Sequence, residues 1–119
     1  MKQFKILIFL IIVFIPIFLA ADNFELNIVN KNILPVYSNN SIIFYDISNP
    51  TSPEKISDFS IKNIRKIYAR DSLVFVISDK LYILDLKNPF FPMLISTLEF
   101  DDYISDIYID NDFLFVACK

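Results

Sequence analysis

The chain has no glycine, no histidine and no tryptophan, and it has a single cysteine. Phosphate-cradling loops and dinucleotide fingerprints are excluded, because both need glycine where the backbone closes on a ligand. The Ser-His-Asp and Cys-His arrangements go with histidine, and so do the usual zinc sites. Cys118 has no second thiol to meet, so an internal disulfide is excluded as well. An average chain of this length carries about eight glycines, so the turns here fall to Asn, Asp, Ser and Pro. The net charge of −3 leaves no basic footprint for nucleic acid or for an anionic membrane surface.

What is present is a repeat. The stretch Asp46-Ile47-Ser48-Asn49-Pro50-Thr51-Ser52-Pro53 returns 39 positions later as Asp85-Leu86-Lys87-Asn88-Pro89-Phe90-Phe91-Pro92. Both read D-hydrophobic-x-N-P-x-x-P, both follow an apolar run, and both lead to an Ile-Ser pair, Ile56-Ser57 and Ile95-Ser96. After Phe59 and Leu98 the offset becomes 40, so that Ile67-Tyr68 matches Ile107-Tyr108 and Leu73-Val74-Phe75-Val76 matches Phe113-Leu114-Phe115-Val116. Residues 33–38 match 73–78, and residues 26–29 are a fainter copy of the strand before them. A period near 40 residues built from short strands is the mark of a propeller-like array.

The first residues have a different character. Lys2 and Lys5 lead into an apolar run at 6–19, and Ala20-Ala21-Asp22 follows. That is the layout of a secretory signal, with an apolar stretch short of the ~20 residues of a spanning helix. Cleavage after Ala21 is expected, with a retained membrane anchor as the alternative. Loss of both lysines takes the net charge from −3 to −5.

From residue 28 the pattern is strand, turn, strand, with no helical spacing. Within one repeat four strands are expected, near 64–69, 73–78, 81–86 and 93–100. Runs such as 42–45, 73–77 and 81–84 are apolar at successive positions, which predicts sheets covered on both faces. Pro50 and Pro89 lack an amide hydrogen and end strand pairing there. Asn49 and Asn88 open the turn, and the carboxylates of Asp46 and Asp85 accept its backbone amides.

The unit I-I-F-Y-D-I-S-N-P-T-S-P, followed by hydrophobic-Ser and then by D-S-L-V-F-V-I-S, resembles the LVIVD repeat of bacterial and archaeal exported or surface proteins. The resemblance implies a β-propeller blade and no shared enzymatic activity. Where that family places glycine in its hairpins, Asp71-Ser72 and Asn111-Asp112 stand here. The first copy departs from the family strand at Lys66-Ile67-Tyr68-Ala69, and the second keeps it as Asp106-Ile107-Tyr108-Ile109.

The expected architecture is therefore all-β, a partial β-propeller of four-stranded antiparallel blades after an N-terminal signal or anchor helix. Residues 1–21 form the signal, 22–61 the first blade, 62–101 the second and 102–119 a half blade. A closed ring needs at least four blades, about 160 residues. A truncated member of a longer array is expected, with ring closure by several copies as the alternative.

Carboxylates are the remaining chemistry. Asp101, Asp102, Asp106, Asp110 and Asp112 crowd together, and Asp110-Asn111-Asp112 has the spacing of calcium ligands without the glycine or distal glutamate of a calcium loop. Turn and strand-end solvation is the plainer reading. In a propeller the first strand of each blade faces the channel, which makes Arg65, Lys66, Ser105 and Asp106 the positions to inspect for a ligand. The tyrosines, Tyr37, Tyr45, Tyr68, Tyr82, Tyr103 and Tyr108, are expected to pack in the core. No catalytic, cofactor or metal residue is assigned.

The expected function is a non-enzymatic exported module that meets a protein or cell-surface partner. Nucleic acid is not expected as a partner, the membrane is met only through residues 1–21 if uncleaved, and exposed blade edges offer self-association. A remnant of an extracytoplasmic enzyme using channel carboxylates and a non-functional fragment are the alternatives. The intact mass of the native polypeptide from its source cells tests both expectations: a mass matching residues 22–119 would establish export, one retaining residues 1–21 the anchor, and one larger by about 40 residues per missing blade a longer array.

Overall fold

The structure, a computed structural model, describes residues 5–10 and 27–119. It is all-β, with no helix among the described residues. The strands are β1 (Lys5–Leu10), β2 (Ile33–Tyr37), β3 (Ser41–Asp46), β4 (Glu54–Ser60), β5 (Lys66–Arg70), β6 (Leu73–Ile77), β7 (Leu81–Asp85), β8 (Met93–Leu98), β9 (Ile104–Asp110) and β10 (Phe113–Cys118). The chain divides into two compact units: Glu25–Glu99 holds β2 to β8, and the other holds β1, β9 and β10.

Within Glu25–Glu99, β5-β6-β7-β8 form a four-stranded antiparallel meander, and β2-β3-β4 form a three-stranded one. The two share their internal details. The ladder shifts register between Phe44 and Tyr45 in one and between Ile83 and Leu84 in the other, the same position of the repeat. Ile47 donates its amide to the Asn32 carbonyl as Leu86 does to Ser72. A local pattern that recurs with its bulge is a repeat of structure as well as of sequence.

The two sheets share one core, where Ile33, Ile42 and Phe44 join Ile67, Val74, Val76, Leu84 and Leu86. Phe44 and Ile42 are fully buried, each stabilising the fold by about 1.5–3 kcal/mol. Residues of β6 are removed from solvent on both faces, since Phe75 and Ile77 are buried along with Val74 and Val76. In β3 burial alternates instead, with Ile42 and Phe44 buried and Ile43 and Tyr45 half-buried, so the expectation of two covered faces does not hold there.

Among the described residues the first sheet also lacks the expected inner strand. Residues 27 and 28 are not in a strand, and Val29 makes only an isolated bridge to Ile33. The reason is visible in the ladder. Asn32 accepts from Ile47, just past β3, while Ile33 exchanges bonds with Val29 on the other side, so period-two alternation puts Pro35 on the inner edge, facing away from β3. Phe75, its repeat equivalent, pairs there with Tyr68 of β5. Proline has no N–H to offer a further strand.

The Asn27 side chain instead reaches β5, donating to the Ile67 carbonyl at 3.2 Å and accepting the Ala69 amide at 3.1 Å. An amide side chain thus satisfies the free edge that a neighbouring strand would have covered.

In the other unit, β9 and β10 form an antiparallel hairpin, and β1 pairs parallel to β10 from Lys5↔Phe113 to Leu10↔Cys118. A helix is expected at the amino terminus, yet Lys5–Leu10 is extended. An Ile-, Leu- and Phe-rich run is a good strand former, and the edge of β10 offers it unpaired backbone groups. The rest of the signal reading lies outside the described residues.

Among the described residues, five take positive φ: Asn30, Lys31, Asn63, Asp71 and Asn111, between 50° and 70°. Asp71 and Asn111 occupy the two hairpin turns where glycine is missing. Asn and Asp visit this region at less cost than other residues with a side chain. Asp71→Gly should leave stability unchanged or slightly raised, whereas Asp71→Val should lower it by about 1–2 kcal/mol, read from urea unfolding midpoints.

Candidate functional site

The chemistry-bearing side chains of Glu25–Glu99 are largely committed to the turns. Asp46 accepts the Ser48 amide at 2.8 Å and the Ser48 hydroxyl at 2.6 Å through Oδ1. Asp85 accepts the Lys87 amide at 2.8 Å in the same way. Asn49 Oδ1 accepts from Thr51, its hydroxyl at 2.8 Å and its amide at 3.3 Å, and Asn88 Oδ1 accepts the Phe90 amide at 3.2 Å. Each anionic or amide oxygen stands two residues before the donor it serves, which is the geometry of a side-chain-capped turn.

Arg65 and Lys66 do not present free charges. Arg65 donates from Nη2 to the Ser78 carbonyl at 2.9 Å, while the buried Ser78 hydroxyl donates to the Lys62 carbonyl. This stitches the 62–65 segment to the end of β6. Lys66 Nζ stands 4.9 Å from the centroid of the Tyr68 ring, a cation–π contact.

In the other unit Ser105 donates to the Ala117 carbonyl at 3.1 Å, and Asp106 accepts the Ile107 amide at 2.9 Å. Asp110 closes β9, and Asn111 and Asp112 form the hairpin turn. Among the described residues no three His, Cys, Asp or Glu side chains gather to hold a metal ion. Burial and, secondarily, the Asp102 carboxylate push the Cys118 thiol up, so it remains protonated at neutral pH.

The tyrosines correct an expectation. Tyr37, Tyr103 and Tyr108 are exposed, and Tyr45, Tyr68 and Tyr82 are half-buried. None lies fully inside: Tyr103 precedes β9, Tyr37 ends β2, and the other four stand in strands beside a position that takes the core-facing place. Tyr82 alone of the six packs against the buried cluster, Tyr37 donates its hydroxyl to the Arg65 carbonyl at 3.1 Å, and Tyr108 lies 6.2 Å from the Phe115 ring.

An open cleft of about 460 Å³ is lined by Ile28, Asn30, Lys31 and Asp71. The backbone of Asn30 donates to the Asp71 carbonyl at 2.9 Å and its side chain to the Leu86 carbonyl at 2.8 Å, so the cleft has a fixed floor. Its side chains offer one ammonium and one carboxylate and no nucleophile or base pair.

Sequence reasoning missed a different surface. Phe90, Phe91, Met93, Leu94 and Ile95 are all exposed, on the turn before β8 and on the strand itself. The signal was available by setting the two copies side by side. Thr51-Ser52-Pro53-Glu54-Lys55 stands where Phe90-Phe91-Pro92-Met93-Leu94 does.

No family model, curated protein or solved structure matches this chain.

The turn bonds from Ser48 hold the Asp46 carboxyl below the usual aspartate range. A carboxylate depressed in the folded state stabilises above its unfolded pKa, and that contribution is lost as pH falls through the folded value. Asp46 should therefore titrate below an ordinary aspartate when followed by carbonyl-carbon NMR, because of the two bonds from Ser48. The loss of stability on acidification should be smaller in Asp46→Asn.

Proposed function

We propose that this chain is a non-enzymatic, exported repeat module of the LVIVD kind, whose sheets are propeller blades that present loops and edges to a protein or cell-surface partner. The observation that carries this reading is the duplicated strand-turn-strand unit, with the same bulge, the same carboxylate-capped turn and the same strand offsets in both copies. A scaffold repeated at this level of detail provides rigid spacing, which is what interaction arrays use.

The side-chain chemistry supports the same reading. The turn carboxylates and amides are engaged with their own backbone, and the sequence has no histidine to act as a base. Export rests on the layout of Lys2, Lys5, the apolar run at 6–19 and Ala20-Ala21. The competing reading gives Asp106 acid-base work in an extracytoplasmic enzyme.

Two measurements separate them. The protein should fractionate outside the cytoplasm, and recovery in the cytosol would overturn export. Incubated with glycans and lactones, the full chain should show no turnover, with Asp106→Asn indistinguishable from it. Turnover abolished by Asp106→Asn would replace the module with the enzyme.

A further inference from the structure

We propose that the outer edge of β8 is a self-association surface, on which a second copy of this chain lays its own β8 antiparallel to make one continuous sheet across a two-fold axis. The inference rests on the module reading above and names the surface and the partner.

The chain contains its own control. β4 and β8 are the last strands of their sheets, each reached through the same capped turn and each paired across the same bulge. β4 carries Glu54, Lys55 and Asp58, with Lys55 and Asp58 paired at 2.8 Å. β8, reading MLISTL, carries no charge. Charged residues on an edge strand are how sheets refuse further strands, and one copy has them while the other has lost them.

Apolar exposure follows the same division. Phe91 is 75% exposed and Met93 63%, with Leu94 and Ile95 above 40%. The fold does not demand apolar side chains at Phe91, Met93 and Leu94, because Ser52, Glu54 and Lys55 occupy the equivalent positions of the first copy; Ile95 matches Ile56. A cluster of this kind on a free strand edge marks an interaction site.

Charge selects a second copy. Two chains of net charge −3 repel at a distance, yet around β8 the charges balance. Asp85 and Lys87 stand at one end, and Lys80 and Glu99 pair at 2.7 Å at the other. Apposition there meets no net like charge. The occupant must also satisfy hydrogen bonds. A lipid surface would cover the side chains but strip water from the free N–H and C=O groups of the edge, at a cost of kilocalories each. A second β8 pairs both.

Sedimentation velocity of the full chain over a concentration series tests this, with hydrogen exchange at the same concentrations. A dimer should form, with β8 amides protected when concentrated and released on dilution while β4 amides do not change. Met93→Glu with Leu94→Lys transplants the β4 residues into β8 and should weaken the dimer at least about tenfold without shifting the thermal midpoint measured at dilutions where both chains are monomeric. If that variant fails to fold, the exchange pattern of the unaltered chain decides alone.

A monomer at every concentration overturns the proposal, as does association that persists unchanged in the folded double variant. Binding to phosphatidylcholine vesicles that is lost in Phe90→Ser with Phe91→Ser, without β8 protection in solution, overturns it in favour of a membrane. These outcomes are scored apart from the turnover assay, so failure of the edge and failure of the module reading are distinguishable.

Discussion

A chain without glycine has to bend with its side chains, and in this protein the bend after the third strand of each repeat is made by a carboxylate and an amide. Asp46 and Asp85 each take the backbone amide two residues on at 2.8 Å. The Asn49 and Asn88 carbonyls then accept from Ser52 and Phe91 at 3.0 Å. Proline follows each asparagine and forbids continued pairing. Everything after the turn depends on it, since the strand that returns must meet its neighbour in the register that puts Phe59 or Leu98 beside the strand before it. An error of one residue there would exchange the two faces of β4 or β8.

Given those turns, the two sheets of Glu25–Glu99 close over a shared apolar core, and the differences between them lie at the edges. On the inner side, Pro35 removes a donor where the other sheet has Phe75 paired with β5. On the outer side, β4 bears charges and β8 bears exposed Met93, Leu94 and Ile95. The two copies differ in the core as well, where Ile42 and Phe44 stand in place of Leu81 and Ile83, but there apolar replaces apolar, whereas at the outer edge charge stands in place of apolar surface.

The same economy explains why no catalytic constellation emerges among the described residues. Polar side chains that would carry chemistry elsewhere are spent on turns and stitches: Asn27 on the β5 edge, Ser78 on the Lys62 carbonyl, Ser57 on the Pro89 carbonyl at 2.6 Å. Each satisfies a backbone group that would otherwise be stranded near the core. Rigid connection is the chemical outcome.

Strand positions, the repeat offset and the capped turns were legible because each is written in local rules. Period-two apolarity marks a strand, and an Asp, Asn or Pro at a fixed offset marks its end. The expected strand at 93–100 and the observed Met93–Leu98 differ only at the frayed end. What local rules do not carry is what covers a face or an edge. The six tyrosines read as core by their apolar neighbours and proved exposed or half-buried, and where a strand was expected, residues 27–29 hold an Asn27 clamp on β5. The sequence by itself determined where the strands from β2 to β10 lie, how they turn and which residues repeat, since those bonds close within a few positions. Only the tertiary structure decided which strand is an edge, because exposure depends on segments far apart in the chain that happen, or fail, to lie alongside.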